Sequence, residues 1–222
     1  MTAEAVVRRG LPSRMRRQIE FALLYLTVPG LHVAYYEQLG TFAPLAAMVA
    51  VGVVLLALTP GFAWRELVDL RSLRGHGPTA MAFVAVATAA IFGCVLWLVP
   101  HQLFAFPRYA TGTWAMVMLL YPWASVLGQE LIYRPLFFKR YGDLFPAAWV
   151  LVLANAAAFA LVHAFYQNWV AVTLTFAGGL IFAELYRRTG SFPLVFVLHA
   201  LAGQIIFTSG LGIFFYHGAI PG

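Results

Sequence analysis

The stretch "TAMAFVAVATAAIFGCVLWLV", from Thr79 to Val99, decides the fold class of this chain. It carries no charged residue over a length that, as a helix, crosses the roughly 30 Å hydrocarbon core of a bilayer. The whole chain shares this character, since 62% of its 222 residues are hydrophobic and only 10% are charged. Soluble domains carry about 25% charged residues. We therefore predict an all-α, polytopic membrane helix bundle.

Outward from this stretch, other apolar segments of similar length follow one another along the chain, and they predict about seven transmembrane helices. The seven predicted spans are 19–36, 41–59, 79–99, 112–133, 146–165, 168–186 and 191–213. We predict that they form a single transmembrane domain over residues 1–222, preceded by a basic arm at residues 1–18.

The loop charges predict the orientation of the bundle. All of the 14 basic residues except Arg108 lie in the N-terminal segment or in the loops 59–78, 134–145 and 187–190. Cytoplasmic loops of membrane proteins carry an excess of Lys and Arg, so we predict a cytoplasmic N-terminus and a C-terminus outside. We interpret the arm 1–18 as a lipid-facing segment, because arginines next to a membrane attract anionic headgroups. No nucleic-acid partner is expected.

Five polar side chains inside the predicted spans are the first candidate functional residues. Gln129, Glu130 and Arg134 lie on the fourth span, His163 on the fifth and His199 on the seventh. Ionisable groups within a bilayer are costly and usually functional. Glu130 and Arg134 are four residues apart and so can neutralise each other on one helix face. At about 1.5 Å per residue, Glu130 and the two histidines reach depths at which they can meet inside the bundle.

Several neighbouring residues support a pocket. Phe159 precedes His163 by one helical turn, which places an aromatic ring beside the imidazole. Gly178, Gly179 and Gly203 allow close helix contact or leave room for a ligand.

A purely structural interpretation stands beside the functional one. Buried histidines and an ion pair can act as interhelical hydrogen-bonding groups, the role we expect for Asn155. Glu184 precedes Arg187 and Arg188 by three and four residues, so we expect a helix-end ion pair there.

Three short motifs carry a family resemblance. They are "QELIYR" at 129–134, "FALVH" at 159–163 and "HALAG" at 199–203. In order and spacing they resemble the Glu-Glu-x-x-x-Arg, Phe-x-x-x-His and His-x-x-x-Asn motifs of the CPBP intramembrane proteases, also called the ABI or CAAX-protease (Rce1-like) family. The resemblance covers roughly residues 112–210, which we predict to be the catalytic core.

The resemblance implies an intramembrane endopeptidase of the glutamate type, which cleaves membrane-anchored or lipidated peptides by activating a water molecule. It implies water activation by the position of Gln129 together with His163, and oxyanion stabilisation by His199. No metal and no cofactor is implied. The expected partners are a membrane-anchored peptide or protein substrate and the bilayer, and the expected location is the bacterial inner (cytoplasmic) membrane.

Two positions depart from the family pattern. Gln129 stands where the family has its first glutamate, and Gly203 stands at the asparagine position, for which Gln204 is a possible substitute donor. An amide cannot take a proton from water. The chain therefore carries an engineered change that traps an inactive form, or it is a natural pseudoprotease, or Glu130 is the base with Gln129 as a donor. The third interpretation is chemically awkward, because Arg134 stabilises the charged carboxylate and weakens it as a base.

Two other classes of function remain open. The first is a non-catalytic binding or immunity protein on the same fold, which the Gln129 and Gly203 departures favour. The second is a proton-coupled transporter that uses Glu130, His163 and His199 as a relay. Such a transporter is expected to show inverted repeats, and none is evident in the sequence.

Overall fold

The computed structural model describes residues 10–215, and its regular structure in that range is entirely helical. The predicted all-α class is therefore confirmed. The long helical elements are α1 (Arg14–Ala22, a π turn at Leu23–Thr27, and Val28–Ala34), α2 (Phe42–Ala57), α3 (Gly77–Leu98), α4 (Thr111–Leu144), α5 (Ala148–Leu161), α6 (Trp169–Thr189) and α7 (Phe192–Ser209). The short connecting helices are Tyr36–Leu39, Trp64–Val68, Leu70–Leu73, Pro100–Gln102, Ala105–Tyr109, Ala164–Tyr166 and Leu211–Phe214.

Each predicted span overlaps one of these long elements. Five of them, α3 to α7, are long and apolar enough to cross a membrane when α5 is counted together with the short helix that follows it, as Ala148–Tyr166. α2 is apolar but has 16 residues, and a π turn divides α1. The count of about seven membrane helices is compatible with this arrangement.

The fourth element differs from the prediction. The prediction of a span at 112–133 followed by a loop at 134–145 is wrong. α4 is a single element of 34 residues that begins at Thr111 and ends at Leu144. A proline lacks the backbone N–H that a helix uses and usually ends it. Pro122 and Pro135 instead lie within π turns, at Pro122–Val126 and Ile132–Leu136, which carry the helix past them.

The chain divides into two compact units. Within the described range, the first unit holds residues 10–68 and 129–192, and the second holds residues 69–128 and 193–215. α4 passes from the second unit to the first between Gly128 and Gln129. The single domain predicted for residues 1–222 stays a prediction.

Segments predicted to be cytoplasmic contact one another at one end of the first unit. Arg140 of α4 binds Glu20 with N–O distances of 2.8 and 3.1 Å, and it lies 3.4 Å from the hydroxyl of Thr59. Lys139 donates to Glu66 at 2.9 Å and to the carbonyl of Gly61 at 3.1 Å. These contacts agree with the prediction that these segments share one side of the membrane.

The interpretation of the basic arm as lipid-facing is wrong for Arg17, while residues 1–9 lie outside the described range. Arg17 is 5% exposed. Its guanidinium binds both carboxylate oxygens of Asp143 and donates to the carbonyl of Arg140 at 2.8 Å. The hydrogen bond to Asp143 raises the pKa of Arg17. Arg17 is thus buried because it binds Asp143 of α4.

Small residues bring α5 and α6 together in the first unit. A Cβ added to Gly179 would lie 3.0 Å from the Cα of Ala156, which is closer than ordinary van der Waals contact, so glycine favours this approach. The close contact predicted for Gly179 is therefore present, whereas a Cβ on Gly178 would meet only Phe182 of the same helix.

The Asn168 side chain caps α6 by accepting from the amide of Ala171 at 2.8 Å. The expected ion pairs of Glu184 with Arg187 and Arg188 are confirmed.

In the second unit, hydrogen bonds connect the first part of α4 with α7. The indole N–H of Trp114 donates to the hydroxyl of Thr208 at 3.1 Å. The side-chain amide of Gln204 donates to the carbonyl of Met118 at 2.8 Å. These bonds fix α7 beside Thr111–Tyr121.

Candidate active site

Glu130 and Arg134 form a fully buried ion pair on α4. Neither side chain has exposed surface. Arg134 donates from Nε to one oxygen of Glu130 at 2.9 Å and from Nη2 to the other at 3.3 Å. This two-point pairing satisfies both carboxylate oxygens and confirms the predicted mutual neutralisation.

Asn155 of α5 completes the polar network. Its side-chain oxygen accepts from Nη1 of Arg134, and its Nδ2 donates to the carbonyl of Tyr133 at 2.7 Å. The predicted interhelical role of Asn155 is therefore confirmed. Its function as the second partner of Arg134 was not predictable, because spacing along one helix gives no information on contacts with another.

The π turn at Ile132–Leu136 makes backbone oxygens available to this network. The amide of Phe137 bonds to the carbonyls of Ile132 and Arg134 rather than to that of Tyr133. The carbonyl of Ile132 also accepts from the hydroxyl of Tyr25 at 2.7 Å. Side chains of α1 and α5 thus stabilise the turn that holds Arg134, and π turns occur frequently at functional sites.

A chain of contacts extends from the ion pair to His163. The Cζ of Arg134 lies 5.4 Å from the ring centroid of Phe159, and that centroid lies 4.7 Å from the imidazole centroid of His163. The first contact has cation–π geometry. The second contact, between the rings of Phe159 and His163, was predicted from their helical spacing.

The backbone selects the tautomer of His163. This residue follows the end of α5, and its Nδ1 lies 2.7 Å from the carbonyl oxygen of Phe159. A carbonyl only accepts, so Nδ1 carries the proton and Nε2 is the ring nitrogen that can accept one. The buried imidazole is thereby oriented as a proton acceptor.

Gln129 lies one residue before Glu130 and is half-buried. Consecutive helical residues point about 100° apart, so Gln129 and Glu130 occupy different faces of α4. Glu130 is the one of the two whose carboxylate binds the guanidinium of Arg134 at both oxygens.

His199 belongs to the second unit, where its partner is Tyr121 of α4. The Tyr121 hydroxyl lies 3.4 Å from Nε2 of His199, and the two rings meet edge to face. His199 itself is 6% exposed. No motif indicated this tyrosine, because a single Tyr at the end of an apolar run has many structural roles.

Tyr121 also explains the glycine of the third motif. A Cβ added to Gly203 would overlap Cε1 and the hydroxyl oxygen of Tyr121. Gln204, the predicted substitute for the missing amide, uses its side-chain nitrogen to bind Met118 within the second unit. The catalytic roles assigned to these residues from sequence stay predictions.

Within residues 10–215, no cluster of three or more His, Cys, Asp or Glu side chains could hold a metal ion.

The fold and these sites define an integral membrane protein of helical type with a buried acid–base network. Residues 111–205 match the family model described as "Type II CAAX prenyl endopeptidase Rce1-like". The match spans all three motifs and confirms the resemblance predicted from them. Neither the curated proteins nor the solved structures compared with the chain give a match. The match over these residues supports an intramembrane protease of the CAAX/CPBP type.

Proposed function

We propose that the chain has the site of an intramembrane endopeptidase for membrane-anchored or lipidated peptides, in which Gln129 suppresses water activation. The observation that carries the proposal is the complete neutralisation of Glu130 by Arg134. A carboxylate bound at both oxygens by a buried guanidinium stabilises the site and is a poor base. The base therefore belongs at position 129, where this chain has an amide.

With glutamate at position 129, hydrolysis follows a simple sequence. The carboxylate, assisted by Nε2 of His163, removes a proton from water, and the resulting hydroxide adds to the peptide carbonyl carbon. The carbonyl electron pair moves to oxygen, and His199 stabilises that oxyanion. When the tetrahedral intermediate collapses, the C–N bond breaks and the nitrogen takes the proton, giving a carboxylic acid and an amine.

Gln129 also favours a second function, in which the natural protein binds such peptides without cleaving them. An amide keeps the size of glutamate and one of its two acceptor oxygens, but it cannot act as the base. Under this alternative, the native chain binds a membrane-anchored peptide as tightly as Gln129→Glu does. We place the protein in the bacterial inner membrane and, under this alternative, propose a role in immunity.

Cleavage of a panel of membrane-anchored peptides, prenylated and unprenylated, tests the proposal. The native chain and Gln129→Glu are placed in liposomes, and products are identified by mass spectrometry. We expect Gln129→Glu to cleave at least one peptide and the native chain to cleave none at a comparable rate.

The controls address folding and assignment. Gln129→Glu/His163→Gln should lose the acquired cleavage while it retains the unfolding transition of Gln129→Glu. Comparable cleavage by the native chain would contradict the assignment of the base to position 129. Peptide binding by both forms without cleavage by either would favour the binding protein.

A further inference from the structure

We propose that His32 of α1 is a positioning residue for His163, because it stacks on Phe165 and so holds the turn at 162–168 that carries the His163 imidazole. The inference deepens the proposed function and rests on it, since His163 assists water activation there. His32 and the whole turn belong to the first unit. Of these residues, only His163 is part of a sequence motif.

The backbone of His163 lies beyond the regular part of α5. The helix ends at Leu161, and the amide of His163 donates to the carbonyl of Ala160, three residues back, at 3.0 Å. The short helix Ala164–Tyr166 follows, and Gln167 then has a φ of 55°. The repeating hydrogen bonds of an α-helix do not continue through such a turn. The place of the His163 imidazole therefore depends on what holds the turn.

Phe165 fastens the turn to α1 and the short helix that follows it. Its side chain is 2% exposed. Its ring stacks on the imidazole of His32, with centroids 4.6 Å apart and planes at 26°, and on the ring of Tyr36, at 5.5 Å and 19°. Stacked rings fix each other's plane as well as their separation. The contact with His32 is the closer of the two, so we assign the positioning to it.

Tyr166 connects Phe165 with His163. Its ring centroid lies 4.2 Å from that of Phe165 and 6.3 Å from that of His163. Its amide donates to the carbonyl of His163 at 3.1 Å. Asn168 holds the end of the turn, because its Nδ2 donates to the carbonyl of Tyr166 at 3.1 Å while its side-chain oxygen caps α6. A displaced Phe165 would thus move the residue against which His163 rests.

His32 is itself fixed to the backbone. It is 2% exposed, and its Nε2 lies 2.9 Å from the carbonyl oxygen of Gly40. A carbonyl only accepts, so Nε2 of His32 carries the proton. Gly40 has a φ of 64° and a ψ of −173°, a conformation essentially restricted to glycine, and this conformation directs its carbonyl. The bond satisfies the buried nitrogen and holds the imidazole where Phe165 meets it.

Nitrogen NMR of the full chain in micelles, with ¹⁵N-labelled histidine, tests the positioning without any substrate. His163→Gln identifies the His163 signals, and the contact with the Phe159 carbonyl predicts a protonated Nδ1. His32→Gln removes the ring but keeps a donor for Gly40. We expect this variant to shift the His163 resonances toward mixed protonation of its two nitrogens, because the loosened turn weakens the Nδ1 bond. Unchanged His163 resonances in folded His32→Gln would overturn the proposal.

Two matched variants separate the stacked ring from other roles of this region. His32→Phe keeps the ring and removes the donor, so it should retain the native His163 resonances. Tyr36→Phe removes the hydroxyl that meets Thr41 at 2.9 Å and should retain them as well. A shift in His32→Phe as large as that in His32→Gln would contradict the role of the stack. Unfolding transitions identify variants that do not fold, and Phe165→Leu, which removes the same stack, then replaces His32→Gln.

Kinetics in the Gln129→Glu background provide the second test. His32→Gln should lower kcat about 10- to 100-fold and leave KM nearly unchanged, because a small displacement of His163 affects the water-activating step. His32→Phe should restore most of this loss. A lower stability of His32→Gln without a loss of kcat would overturn the inference alone. Absence of cleavage in Gln129→Glu itself would overturn the proposed function, and the His163 resonances would then decide whether His32 positions that residue.

Discussion

Glu130 binds Arg134 through both carboxylate oxygens, and Asn155 accepts a further hydrogen bond from the same guanidinium. The spacing of four residues predicted the first contact, because both residues lie on one helix. The contact with Asn155 joins two helices, so it depends on packing that sequence spacing does not determine. The same limit applies to Tyr121 and His199, which are distant in sequence and meet in the second unit.

Removal of Arg134 should reveal the cost of an unpaired buried charge. We expect Arg134→Met to lower the free energy of unfolding by about 3–5 kcal/mol, because Glu130 remains buried without its partner. Glu130→Gln/Arg134→Met should lose less, since neither charge remains. Unfolding in mixed detergent micelles measures both variants, and equal losses would contradict the account of the pair.

At the scale of elements, α4 shows what the sequence does and does not predict. Its apolar run predicted a helix from 112, and the structure begins it at Thr111. The predicted end at 133 is wrong, because the helix continues past Pro135 and through the charged residues Lys139 and Arg140 to Leu144. The π turn at Ile132–Leu136 absorbs the proline, and acidic partners on other segments bind the two cations.

The packing of α5 against α6 gives a prediction with a neighbouring control. Gly179→Ala should destabilise the protein by about 1–3 kcal/mol, because its Cβ would press on the backbone of Ala156. Gly178→Ala should be neutral or slightly stabilising, since it meets only a side chain of its own helix and alanine favours helices. Unfolding measurements on the two variants check the difference, and equal effects would refute the close-approach explanation.

At the scale of the whole molecule, most of the charged residues lie in sequence segments that are predicted to be cytoplasmic. The loop pattern alone predicted the orientation. The loop pattern did not predict that Arg17 and Arg140 are buried. Counting basic residues per loop indicates the side of the membrane but gives no information on which acidic side chains they bind. In the first unit Arg17 and Arg140 connect α1 with the end of α4.

The two neighbouring arginines of α1 should differ in their contribution to stability. Arg17→Gln should lower the free energy of unfolding by about 2 kcal/mol, between the values for exposed and buried pairs, because Asp143 is partly exposed. Arg16→Gln should cost under about 1 kcal/mol, since the Arg16 side chain is 67% exposed. Chemical unfolding distinguishes them, and a larger effect at Arg16 would contradict the described network.

Cysteine labelling tests the predicted orientation. In a Cys94→Ser background, a membrane-impermeant maleimide added to intact cells should label Tyr109→Cys, which lies in the predicted outer loop. It should label Arg74→Cys only after the membrane is opened, because Arg74 lies in the predicted cytoplasmic loop 59–78. Tyr109 and Arg74 are both exposed, so access depends on the side of the membrane. The opposite labelling pattern would reverse the orientation.

The most direct test of the account is the single-turnover rate of peptide cleavage by Gln129→Glu relative to the native chain. A positioned general base contributes about 10²–10⁴-fold, so we predict at least a 100-fold increase with glutamate at position 129. This result would identify position 129 as the place of the base, with Glu130 serving to hold Arg134. Equal, measurable rates for the two proteins would contradict that claim, because the native chain would then activate water without a carboxylate at position 129.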